Sequence, residues 1–367
     1  MSRSKNNEKK NNGAVEMEDV NLSTMYLSMI SAFPMVMRAA IELDLLEIIS
    51  KAGPNAQLSP LQIASKLPTQ NHPTETSMML DRMLRLLASH SVLTCTTIIR
   101  ENGLIERLYG LAPLSKYFVQ DKDGISFCPF LILGLDKVVA ESWYNLKDVI
   151  IKGGSPFTKA HGMSLFQYSS VDPRFNQVFN SAMFHTTSLI MNEIFIGKYK
   201  GFENLKEITD IGGGIGIAVS MITAKYPLIK GINFDLPHVV QQAPTYPGVE
   251  HVGGDMFEII PKSETILLKW VLHNWSDENC LRILKNCYVA LPNNGKVIAM
   301  DMINPTTTET NNAAKVCFLH DLIMMGLLGI GKERSEKEFE ALAKEVGFLT
   351  FSVICCVFNT WIMELTK

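Results

Sequence analysis

Apolar positions along the chain change their spacing near residue 206, and the change separates two kinds of structure. Before it the spacing is helical. Residues 24–50 carry Met25, Leu27, Met29, Ile30, Met35, Met37 and Ile41 with few charges and one interruption at Pro34. A helix apolar on most sides needs a partner surface. Ser59-Pro60 predicts the next helix start, a capping serine with proline in the first turn. A further helix is expected over 74–89, with Met79, Leu80, Met83, Leu84, Leu86 and Leu87 on its buried side. Strand-like runs follow at 92–99 and 107–111, and the pattern from 115 to 199 is mainly helical. After Lys206, strand-like runs at 206–211, 230–235, 249–253, 265–272, 296–301 and 350–364 alternate with helical gaps. Such alternation predicts an α/β, doubly wound (Rossmann-like) parallel sheet, with ligands at the carboxyl ends of its strands.

The pattern divides the chain into a tail over 1–17, expected to be disordered, a mainly helical winged-helix-like domain over 18–120, and an α/β domain over 121–367. Helices followed by a hairpin raise DNA binding as an alternative. The helix over 74–89 carries Arg82 and Arg85 beside Glu75 and Asp81, so no basic stripe exists to track a phosphate backbone. The whole chain has 367 residues and a net charge of −3, which gives no electrostatic case for nucleic acid or an acidic membrane. Packing or dimerisation is the expected use of this domain. The seven cysteines are scattered and show no metal-like spacing, as in a reduced cytoplasmic protein. The amino-terminal stretch lacks the apolar segment of a signal peptide, and the apolar run over 125–135 is too short to span a bilayer.

Candidate chemistry begins at Asp210-Ile211-Gly212-Gly213-Gly214-Ile215-Gly216, after the first strand of the α/β domain. A strand, a tight glycine turn and a helix start make a nucleotide-binding corner. A dinucleotide fingerprint needs glycine or alanine where this chain has Ile217. The acid before the glycines suits instead a ligand with a positive end, such as S-adenosyl-L-methionine. Asp235 ends the second strand, where a carboxylate can accept ribose hydroxyls; the alternative is a capping acid before Pro237. Asp255 and Met256 end the third, suited to an adenine amino group and ring face. Lys269, on the fourth strand, fits either cofactor contact or pairing with a neighbouring acid. No metal is expected.

His273 closes the fourth strand-like run, facing the ligand crevice. An imidazole titrating near neutrality suits proton removal from a phenol or catechol, whose oxygen then attacks the sulfonium methyl in line. A lone histidine is more often structural, but its place at a strand end beside an adenosyl site favours the catalytic role. It needs an acid partner to hold its tautomer. Asp301, ending the fifth strand, and Glu333, just before a helix, are the candidates, and position favours Asp301.

Together these segments resemble the plant small-molecule O-methyltransferases of the caffeic acid O-methyltransferase type, from about Asn21 to Lys367. The resemblance rests on Asp210–Gly214, on Gly231-Ile232-Asn233-Phe234-Asp235-Leu236-Pro237, on Gly253-Gly254-Asp255-Met256-Phe257 and on Gly331-Lys332-Glu333-Arg334. It implies a homodimer formed through the amino-terminal domain, which lends residues to the partner's active site. It also implies S-adenosylmethionine bound at Gly212, Asp235, Asp255, Met256 and Lys269. His273 matches the family's base, flanked by Asp301 and Glu333. Phe175, Phe179 and Met183 match an aromatic-clamping substrate wall, though plain helix core explains each as well.

Departures from the family pattern cluster on the acceptor side. Asp301 stands where glutamate is usual, Asn274 where aspartate follows the base, Thr186 where a pocket histidine falls, and Gly134 where an asparagine is common. They leave the cofactor residues whole and favour a less polar acceptor than caffeate: a phenylpropanoid, coumarin, flavonoid or alkaloid precursor. Methylation of an aromatic amine nitrogen and a fold without transfer activity are the alternatives. Retention of His273 favours oxygen.

Overall fold

The computed structural model describes residues 19–367; the tail expected to be disordered, 1–17, lies outside them. The chain forms two compact units, which meet between Leu135 and Asp136.

In the first unit, helices Asp19–Met29, Ala32–Glu42 and Leu45–Ser50 replace the single interrupted helix expected over 24–50. The interruption falls before Pro34, which sits in the first turn of its helix, where its missing N–H costs nothing. Ser59 caps the helix Pro60–Ala64 in a reciprocal capping box with Gln62. Helix Pro73–Ser89 buries Leu80, Leu84 and Leu87. It packs against an antiparallel hairpin of β1 (Leu93–Ile99) and β2 (Ile105–Leu111). The unit runs past the boundary expected at residue 120. Helix Cys128–Gly134 adds Leu131 to this core, and the Arg38 guanidinium donates to the Leu135 carbonyl at 2.6 Å. No single described helix is long and apolar enough to cross a membrane.

The second unit is built on a sheet of β3 (Glu207–Ile211), β4 (Lys230–Asp235), β5 (Val249–Gly253), β6 (Thr265–Lys269), β7 (Lys296–Asp301), β8 (Thr350–Val357) and β9 (Thr360–Thr366). Their order is β5-β4-β3-β6-β7-β9-β8. The first five strands are parallel, and helices cover the sheet. The expectation of a wholly parallel sheet, with one strand over 350–364, needs correction. Phe358 and Asn359 both have positive φ (47° and 62°), and the chain folds back there so that β8 pairs antiparallel with β9. Two left-handed residues define the hairpin turn that matches strand twist. Phe-Asn is a weak sequence signal for it.

Strand order reverses between β3 and β6, so their carboxyl ends open side by side into a crevice. The glycine turn leaves β3 there and the His273 segment leaves β6 there. β6 ends at Lys269, short of the expected 272. Trp270 takes a left-handed conformation (φ 55°) and turns the chain into a short 3-10 segment, Leu272–Asn274. His273 therefore lies just beyond the strand, on a turn that begins with a strained residue. Asp255 likewise follows β5 in a turn.

Candidate active site

The glycine turn is shaped by contacts that exclude side chains. Gly212 has φ +67° and donates its N–H to the Phe234 carbonyl at 2.8 Å. A Cβ on Gly213 would overlap Asn233 Oδ1 and stand 2.7 Å from Asp210 Oδ2. Those two oxygens are buried and have no hydrogen-bond partner. Asn233, on β4, donates its amide to the Gly214 carbonyl at 2.8 Å and so ties the turn to the sheet. Asp235 accepts the backbone N–H of Gly214 at 2.8 Å and of Leu236 at 2.7 Å. Asp255 accepts the N–H of Phe257 at 2.8 Å. These bonds orient the carboxylates, and each oxygen keeps a lone pair for a further donor.

This corner fits S-adenosylmethionine on its own chemistry. It offers a buried carboxylate with one oxygen lacking a hydrogen-bond partner, an open glycine cradle and two backbone-oriented acids. Burial pushes the Asp210 carboxyl up to about 7, with the positive charge of Lys269 opposing the shift. A cationic ligand would restore its ionised form. Lys269 is desolvated, which pushes its ammonium down to about 8 against the pull of Asp210 and Asp301. Its Nζ lies 4.1 Å from the centre of the Trp270 ring. The alternative of a lysine serving neighbouring acids thus has a physical basis beside the cofactor role. Met256 is half-buried against the sheet core.

His273 is buried. Its Nδ1 lies 2.8 Å from Glu333 Oε1 and 3.6 Å from Asp301 Oδ1. The preference for Asp301 as the direct partner is therefore corrected. Asp301 is fully buried at the end of β7, and neither of its oxygens has a hydrogen-bond partner. Glu333 reaches the imidazole because its loop is pinned at several points. The Lys332 N–H donates to the His273 carbonyl at 2.9 Å, and the Glu333 N–H donates to Asp321 Oδ1 at 2.7 Å. The buried Arg334 donates to the carbonyls of Leu272 and Trp275, at 2.8 and 2.7 Å, and to Asp277 Oδ1 at 2.8 Å. Gly331 permits the approach, since a Cβ there would stand 2.8 Å from the His273 carbonyl oxygen.

Burial acts on both acids, with opposite outcomes. Glu333 is penalised by desolvation, but the charge and hydrogen bonds of His273 and His320 outweigh the penalty and hold it down at about 2. For Asp301 desolvation wins, reinforced by repulsion from Glu333, and the carboxyl is pushed up to about 7. An ionised Glu333 can only accept, so His273 must carry its proton on Nδ1. Nε2 is then left with the lone pair that a general base needs.

His320, which sequence reasoning does not single out, also bonds Glu333 Oε1 through Nδ1, at 2.6 Å. It lies on the helix Asn312–Leu328, and a lone histidine in so apolar a helix carries no sequence signal of its own. His273, His320 and Glu333 form a set of the types that bind metals. Their spacing is that of hydrogen bonds: a tetrahedral zinc with bonds of about 2.0 Å needs ligand atoms about 3.3 Å apart.

The expected substrate residues fare unequally. Phe175 is fully buried, its ring 5.7 Å from Tyr168 and 6.5 Å from Phe157. Phe179 and Met183 lie on the same helix, Pro173–Glu193, and are half-buried. The half-buried Asn274 side chain donates one N–H to the Trp270 carbonyl at 3.0 Å, which ties it to the His273 turn and leaves its other N–H and its oxygen for a further partner. Thr186 is buried and bonds back to the Ala182 carbonyl. A groove of about 410 Å³ runs along another face of that helix, past Asn176, Asn180 and Phe184, to Ile215 of the glycine turn.

Comparison with known proteins identifies the family. Residues 143–349 match the O-methyltransferase domain model, and residues 25–121 match the O-methyltransferase dimerisation domain model. The chain is 53% identical to caffeic acid 3-O-methyltransferase of Medicago sativa, over 95% of each chain. It is 52% identical to the Catharanthus roseus enzyme of the same name, over 99% of each. Among solved structures, LaPhzM superposes with a TM-score of 0.71 at 28% identity, covering 94% of this chain and 99% of that one. Human N-acetylserotonin methyltransferase, solved in complex with S-adenosylmethionine, shares the fold: TM-score 0.75 at 20% identity, covering 94% and 97% of the two chains. A Rossmann-like domain with a glycine cradle and acids at its strand ends, joined to a dimerisation domain, places this chain in the family of S-adenosylmethionine-dependent O-methyltransferases.

Proposed function

We propose that this protein methylates a phenolic hydroxyl of a small phenylpropanoid-type acceptor, with His273 as the general base. The observation that carries the reading is the buried 2.8 Å bond between His273 Nδ1 and Glu333 Oε1. S-adenosylmethionine supplies an electrophilic methyl group when bound. The chain's own part is to hold both ligands and move one proton. Nε2 of His273 takes the proton as the phenol oxygen becomes a nucleophile, and the imidazolium forms against an ionised Glu333. The Asp301 carboxylate, 3.6 Å away, gains reason to ionise as that positive charge appears. Gly212, Asp235, Asp255, Met256 and Lys269 form the cofactor side of the proposal, and Phe179 and Met183 the acceptor side. Thr186 has its hydroxyl turned back on the Ala182 carbonyl, and Asn274 brings no charge where the family's aspartate would, which supports an acceptor less polar than caffeate. A cytoplasmic location fits the seven free cysteines.

The test is transfer of a labelled methyl group to a panel of phenols and anilines, with wild type and His273→Ala. Phenols should be methylated, and the variant should lose about 10²- to 10⁴-fold in turnover. Methylation of anilines only, or a near-normal rate without His273, would refute the reading.

A further inference from the structure

Glu333 Oε1 serves two imidazoles at once. His320 Nδ1 reaches it at 2.6 Å and His273 Nδ1 at 2.8 Å, while Oε2 has no partner. The two rings are stacked, with centres 5.5 Å apart and planes 24° from parallel. His320 is as buried as His273. We propose that His320 is a positioning residue for His273: its Nδ1–H fixes the Glu333 carboxylate and shares the oxygen that His273 uses. This rests on the reading of His273 as the base.

An ionised carboxylate oxygen has two lone pairs and no proton. Both imidazoles must therefore donate from Nδ1, and together they saturate Oε1. Each donor draws electron density from that oxygen and so weakens its pull on the other. The His273 imidazolium is then stabilised less than it would be by a carboxylate of its own. The base stays locked in one tautomer, with Nε2 left to take the acceptor's proton.

The charged surroundings leave this sharing intact. Lys269 and Asp301 face the cluster from β6 and β7, and Arg334 flanks Glu333. On the helix of His320, Asp321 is occupied with the Glu333 N–H. Helices Lys137–Trp143 and Pro156–His161 also pack on that helix. Their charges are engaged elsewhere or exposed: Lys159 pairs with Asp148, His161 lies beside Glu141, and Lys137 faces solvent. No other described histidine, lysine or arginine hydrogen-bonds to Glu333, so His320 alone competes with His273 for it.

The experiment compares His320→Leu and His320→Asn with wild type in the full-length protein. It reads kcat/KM for a phenol against pH, together with imidazole tautomers from long-range proton–nitrogen spectra. Leucine removes the donor, so the acid limb should move up by roughly 0.5 to 1 pH unit, which is a loss of about 3- to 10-fold on that limb that fades at alkaline pH. Asparagine carries an N–H donor near the place of Nδ1 and should bring the limb back. A loss of the same factor at every pH, with no shift of the limb, would overturn the proposal. So would a wild-type His320 protonated on Nε2 rather than Nδ1, a readout that holds even if the leucine variant does not fold. A His273→Ala variant with near-normal turnover defeats the base reading itself. An unshifted limb alongside an inactive His273→Ala variant defeats the His320 proposal alone.

Discussion

Glu333 and Asp301 are buried carboxylates within reach of one imidazole, yet they hold protons very differently. Glu333 accepts two imidazole N–H groups and stays ionised; Asp301 accepts none and titrates at about 7. Glu333→Gln should therefore cost turnover heavily, about 10²-fold or more, through loss of charge beside the imidazolium. Asp301→Asn should cost less, about 10-fold, since no bond is broken; equal losses in single-turnover rates would defeat this ranking. Asp301 also links stability to pH. Its carboxyl titrates near 3.8 when unfolded and at about 7 when folded, so the folded state binds more protons between those values. Stability from this group is then fully present below about 4 and is lost as pH rises through about 7. Asp301→Asn should flatten that slope in chemical denaturation at pH 5 and pH 8, and an unchanged slope would show that another group carries it.

At the scale of elements, two turns do most to place the chemistry. The left-handed Trp270 ends β6 early and presents His273 in a short 3-10 segment, while the Gly331–Arg334 loop crosses it from behind. Gly331→Ala would drive a methyl group to within 2.8 Å of the His273 carbonyl oxygen. Backbone must then move, at a cost of about 1 to 3 kcal/mol in stability. Turnover should fall more steeply than stability, because Glu333 moves with its loop. Calorimetric melting and kcat on the same preparation test this, and an alanine variant that melts and turns over like wild type would contradict it. The strands before β8 and the amino-terminal helices are legible in the sequence. Helical spacing marked Pro73–Ser89, and apolar runs marked β3, β4, β5 and β7 to within a residue. The β8–β9 hairpin was not legible, because its turn uses Phe358-Asn359 in place of a glycine-containing pair.

For the whole molecule, the family assignment gives the first unit a dimerisation domain. Its first helix carries Met25, Leu27 and Met29 at 59%, 70% and 60% exposure, more apolar surface than one short helix leaves in water without reason. Leu27→Asp with Met29→Asp should weaken the dimer by at least about tenfold in sedimentation equilibrium, since two charges would be buried without partners. A dimer of unchanged affinity would remove this helix from the interface.

The sequence alone determined the cofactor class and the ends of the strands that carry it. Both depend on local facts: a glycine turn that only small residues can make, and acids placed by the period of a strand. It also singled out His273 and both acids. Which acid holds the imidazole was decided by tertiary structure, as were the entry of His320 and the burial of Phe175. Each of these depends on side chains brought together from distant segments, His273 and Glu333 being 60 positions apart. Local spacing gives no information on that approach, which the buried Arg334 and the space beside Gly331 create only when the chain has folded.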